Sequence, residues 1–189
     1  VSELKAFSNV QMLPRSTVFG YYDHNFLAIL ERRTDHLGLT AANGVRQRLH
    51  RVRAAQVVLA TGALERPLVF AHNDIPGVML ASAVRDYVDN WGVSIGDRTV
   101  VVTNNDDAYL TAITMKNAGL DVPAIIDTRA GGGGALADQA RALGLRIETG
   151  KAIANVEGGK RVTGVSICAQ AGEGAVLQHI NCDVVAMSG

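Results

Sequence analysis

The stretch VVVTNNDDAYLTAITMKNAG, Val100–Gly119, reads as an apolar strand that turns directly into a helix. Its valines and Thr103 form a β-branched run, and Asp107 to Ala118 carries a helical segment closed by Gly119. Dinucleotide-binding folds place a glycine fingerprint at such a junction, because pyrophosphate must approach the backbone at the helix N-terminus. Here the turn is Thr103-Asn104-Asn105-Asp106-Asp107, with no glycine. Asn104 and Asn105 put side chains where a phosphate needs bare backbone. Asp106 and Asp107, either of which can serve as N-cap, suit the helix macrodipole but repel a pyrophosphate. A capped strand–helix junction is therefore expected here.

Downstream, the alternation continues. Val122 to Asp127 reads as a second strand, Ala135 to Leu143 as a helix closed by Gly144, and Leu145 to Glu148 as a third strand. Alternating strands and helices predict a parallel sheet with crossover helices. Ala152 to Val156, Val162 to Ala169 and Ala175 to His179 then read as a meander, with glycine turns at Gly158-Gly159 and Gly172. Cys182 to Met187 returns as a buried strand ending in Ser188-Gly189.

Upstream, Thr17 to Tyr22 and Phe26 to Glu31 form a hairpin about Asp23-His24-Asn25, and Asn43-Gly44 marks a second turn. Arg46 to Arg53 follows as an arginine-rich edge, then Gln56 to Ala60 as a buried strand ending in Thr61-Gly62. After a turn over Asn73 to Gly77, Leu80, Ala83, Val84, Tyr87, Val88 and Trp91 give one helical stripe capped by Gly92. The halves rhyme: each has a meander and a strand ending in a small hydroxyl residue plus glycine. The expected organisation is a partial first dinucleotide-binding domain over 1–70, reduced to meander and return strand, and a second Rossmann-like domain over 71–189. The expected fold class is α/β, with a three-layer parallel sheet and β-meanders on a paired dinucleotide-binding plan.

Lys+Arg and Asp+Glu are equal at 18 each, and the net charge of zero argues against a nucleic-acid or anionic-membrane partner. No apolar run approaches the roughly 20 residues that span a bilayer. Val1 to Lys5 lacks a signal-peptide pattern and an initiating Met, so an excised piece of a longer, cytoplasmic chain is expected. Cys168 and Cys182 read as buried thiols, and His179 three residues before Cys182 does not make a metal site. No catalytic constellation can be assigned.

Among cofactor motifs, Thr61 and Gly62 are the candidates, since a strand ending in Thr-Gly lets backbone pass close to a cofactor. Asp127 stands 24 residues after Thr103, near the spacing of a ribose-binding carboxylate. Gly131 to Gly134 reads as a flexible connection, since no Lys-Ser/Thr follows to make a phosphate loop. The roles of Asp127 and of this loop stay open.

The segments STVFGYYDHNFLAILER, RVRAAQVVLATGALERPLVFAHNDIPGVMLASAVRDYV and VVVTNNDDAY together resemble the alpha subunit of heterotetrameric sarcosine oxidase. The resemblance runs from about Ser16 to Gly189 and extends to related amine- and opine-oxidising subunits. It implies an FAD/NAD(P)-binding fold of the paired, disulfide-reductase type and an oxidoreductase acting on CH-NH donors, with NAD in the first domain of alpha, FMN between alpha and beta, and FAD in beta. It also implies beta, gamma and delta partners and a folate module that takes the one-carbon unit. The upstream glycine loop and the folate module are missing from this sequence, so no tightly bound cofactor and no activity are expected of it alone. Of the family's dinucleotide site, Thr61 and Gly62 carry over. Two alternatives stand beside this: a flavin reductase-like component binding NAD(P) at Asp127, and a non-catalytic assembly module. Pairing of two copies through the remnant sheet is a further expected association.

Overall fold

The computed structural model describes residues 2–41, 44–170 and 174–189. Asn43 and Gly172, part of two expected turns, lie outside them. The chain divides into two compact units, Val1–Gly62 and Ala63–Gly189.

Among its described residues, unit 1 opens with a single helical turn, α1 (Ser2–Lys5), and contains three strands, β1 (Ser16–Tyr22), β2 (Phe26–Arg32) and β3 (Gln47–Arg53). They pair antiparallel in the order β1-β2-β3, with Tyr22 opposite Phe26 and Phe26 opposite Arg53. His24 and Asn25 take positive φ (58° and 52°) in the hairpin turn. The ring of Tyr22 folds back over Gly20, where a Cβ would stand 2.6 Å from Tyr22 Oη. Ala28 is the one buried apolar residue among those described in this unit.

The strand expected over Gln56 to Ala60 is not formed. The segment lies outside every strand, with Val58 86% and Leu59 71% exposed. A strand this apolar belongs in a sheet covered on both faces, and no described strand pairs with it.

Unit 2 is a three-layer α/β structure. Its central sheet joins β4 (Val78–Leu80), β5 (Thr99–Thr103), β6 (Ile125–Asp127), β7 (Ile147–Thr149) and β11 (Val184–Ser188), all parallel, in the order β4-β11-β5-β6-β7. Three helices, α2 (Ala81–Trp91), α3 (Ala108–Asn117) and α4 (Ala135–Ala142), cover one face. A meander of β8 (Lys151–Gly158), β9 (Val162–Ala169) and β10 (Val176–Asn181) covers the other.

The strand period divides the apolar residues between the two interfaces. Val101, Ile125, Val184 and Ala186 face the helices, whereas Val100, Val102, Ile126, Val185 and Met187 face the meander. Each helix stops at the glycine expected of it. At Gly92, φ is 62° and the N–H donates to Val88 O at 3.0 Å, a left-handed cap that glycine adopts without Cβ strain. Cys168 and Cys182 are buried free thiols, and burial first of all pushes the Cys182 thiol up to about 12. No described helix is long and apolar enough to cross a membrane.

One element of this sheet was not expected. Leu80, assigned to the helical stripe, instead ends β4 and directly precedes α2. Three residues are too few to display a strand period, so only pairing with β11 reveals β4.

Candidate functional site

In open α/β sheets, ligands bind outside the carboxyl ends of the strands, where the chain switches direction across the sheet. In unit 2 that place lies between β5 and β11: the chain proceeds from β5 through α3 to β6 and β7, while β11 and β4 lie on the other side. A cleft of about 520 Å³ opens there, lined by Glu65, Ser82, Arg85, Asn105, Asp107 and Ser188 among others.

Most polar groups of the β5–α3 turn are paired within the protein. Asn105, and neither aspartate, caps α3: its Oδ1 accepts from Asp107 N at 3.1 Å and Ala108 N at 3.4 Å. Its Nδ2 donates to Ser188 Oγ at 2.9 Å, tying the turn to the end of β11. Tyr109 N and Leu110 N donate to Asp106 O and Asp107 O. Helix amides that would otherwise await an anion are thus already engaged. Arginines hold the two aspartates away from the cap: Asp107 Oδ2 pairs with Arg85 at 3.1 Å and Asp106 Oδ1 with Arg129 at 2.7 Å.

Asp127, at the end of β6, is fully buried and saturated. Its Oδ1 accepts from Arg129 N at 2.9 Å and Nε at 3.0 Å, and its Oδ2 from Arg129 NH2 and Tyr109 Oη, both at 2.8 Å. Those four bonds use the acceptor sites of a carboxylate. Burial pushes the Asp127 carboxyl up, but the bonds from Arg129 and Tyr109 outweigh it and hold the group below the ordinary aspartate value. The same cluster raises the Tyr109 phenol, through burial first and Asp127 second, and raises Arg129.

The tetraglycine run, expected as a flexible connection, closes over this cluster. A Cβ on Gly132 would stand 2.5 Å from Asp127 Cγ and closer still to Oδ2, and one on Gly134 2.9 Å from Asp106 Oδ2. The backbone at Gly132 therefore needs the missing side chain in order to seal Asp127 from solvent.

On the other side of the cleft, Glu65 Oε2 accepts from Ser82 N at 2.9 Å and Ser82 Oγ at 2.6 Å, capping α2. Gly189, the glycine after Ser188, donates to Arg66 O at 2.8 Å. Its close approach is thus to the chain's own backbone. The residues present do not fit a dinucleotide pyrophosphate at the β5–α3 turn, and Asp127 offers no free acceptor to a ribose.

Thr61 and Gly62, the two candidate cofactor residues, are both exposed and belong to unit 1. Gly62 has φ of 73°, with no atom within 4 Å of the position its Cβ would take. Among the described residues no group of three His, Cys, Asp or Glu is placed to hold a metal. Sequence reasoning missed the parts of Arg129, Tyr109, Glu65 and Arg85. A strand-end aspartate followed by four glycines was the available signal, since such a run permits backbone to close onto a side chain.

No protein-family model matches the chain. The sarcosine oxidase alpha subunit of Corynebacterium sp. (strain P-1) is 42% identical over 194 residues, covering 100% of this chain and 20% of that relative. The sarcosine oxidase alpha subunit of Rhizobium meliloti (strain 1021) is 40% identical over 187 residues, covering 99% and 18%. The chain belongs to the sarcosine oxidase alpha-subunit family. It spans about a fifth of the length of the sarcosine oxidase alpha subunits it matches. An opine oxidase subunit of Agrobacterium tumefaciens (strain Ach5) is 30% identical over 128 residues, covering 68% of this chain and 24% of that relative.

Among solved structures, an NAD-dependent persulfide reductase from A. fulgidus aligns at TM-score 0.55 and 16% identity, over 98% of this chain and 32% of its own. L-proline dehydrogenase from P. horikoshii aligns at 0.52 and 19%, over 92% and 26%. This sarcosine oxidase alpha-family chain thus has the α/β, FAD/NAD(P)-binding type of fold, with its parallel sheet and antiparallel meanders.

Proposed function

We propose that this chain is part of the alpha subunit of a sarcosine oxidase-like flavoenzyme complex, an oxidoreductase acting on CH-NH donors. The complex would demethylate sarcosine with oxygen, giving glycine, hydrogen peroxide and a one-carbon unit passed to tetrahydrofolate. The observation that carries this reading is the 40–44% identity to three sarcosine oxidase alpha subunits over most of the chain. In this reading beta, gamma and delta subunits complete the enzyme in the cytoplasm, FAD belongs to beta, and FMN lies between alpha and beta.

NAD is assigned to the first domain of the intact subunit, with Thr61 and Gly62 at its edge. The β5–α3 turn, whose helix amides are engaged by the protein's own groups, argues against a second nucleotide in unit 2. The role proposed for residues 71–189 is accordingly that of a structural domain. The competing reading, NAD(P) held at Asp127, is disfavoured by the four hydrogen bonds that already occupy its carboxylate.

Co-expression of the full-length subunit with its beta, gamma and delta partners tests the proposal. The assembled enzyme is expected to release hydrogen peroxide on addition of sarcosine, and the subunit by itself to release none. Sarcosine oxidation by the isolated subunit, or an assembled complex inert towards sarcosine, overturns it.

A further inference from the structure

We draw no further inference here: the strongest candidate, the cleft at the carboxyl ends of β5 and β11 where Glu65 Oε1 is buried without a hydrogen-bond partner among the described residues, belongs to the site already described, and nothing in the structure shows whether a ligand or the rest of the subunit covers it.

Discussion

Within the tetraglycine run, neighbouring positions should respond in opposite directions to the same substitution. Gly131 has no atom within 4 Å of the Cβ it would carry, whereas a Cβ on Gly132 would drive into the Asp127 carboxylate. Neither residue has positive φ, so alanine fits the backbone at both. Gly131→Ala should therefore stabilise by up to about 1 kcal/mol, because alanine restricts the unfolded chain. Gly132→Ala carries the same gain but adds an overpacking cost of about 1–3 kcal/mol. It also pushes Asp127 off Tyr109 and Arg129, and breaking such a buried pair outright costs about 3–5 kcal/mol. Partial relaxation places the net loss near 2–3 kcal/mol, so the two variants should differ by about 3 kcal/mol. For a chain of this size that is roughly 6–12 °C in Tm. Circular dichroism at 222 nm follows it well, because α2, α3 and α4 all belong to unit 2. Equal melting of the two variants would refute the closure of the loop over Asp127.

Asp127→Asn removes the charge from the same cluster and should cost about 3 kcal/mol at neutral pH, at the low end for a buried pair because Arg129 is partly exposed. The native Asp127 pKa is depressed, so its contribution is present above the unfolded value near 3.9 and is lost as pH falls through the native value. The gap between wild type and variant in urea midpoints should thus be widest above about pH 5 and close in more acidic solution; a gap independent of pH contradicts the assignment. Asn105→Ala loses the α3 cap and the bond to Ser188, and should destabilise by about 1–2 kcal/mol in the same denaturation series. Alanine at Asn104, whose side chain does not cap the helix, should change stability by less than about 0.5 kcal/mol.

Much of unit 2 was legible because its signals are local. The stripe of Val84 and Val88 in α2, the glycine stops at Gly92, Gly119 and Gly144, and the alternation of strands with helices each lie within a single segment. What escaped the sequence depends on partners far away along the chain. The run over Gln56 to Ala60 has the composition of a buried strand, yet composition does not supply the neighbouring strands that would bury it. Asp127 shows the same limit at the site. Its spacing from Thr103 matches a ribose-binding acid, but its role is decided by Tyr109, 18 residues earlier, and by Gly132 closing from the following loop. The cap moved from the expected aspartates to Asn105 for a related reason: Arg85 and Arg129, distant in sequence, draw Asp107 and Asp106 outward.

The helix amides of the β5–α3 turn and the carboxylate of Asp127 are both engaged by the protein's own groups, which argues against a dinucleotide in unit 2. Titration of the full-length subunit with NADH, followed by nicotinamide fluorescence, tests it most directly when wild type is compared with folded Asp127→Asn. The same affinity is expected of both proteins. A loss of tenfold or more in the variant, with its fold intact, would contradict it.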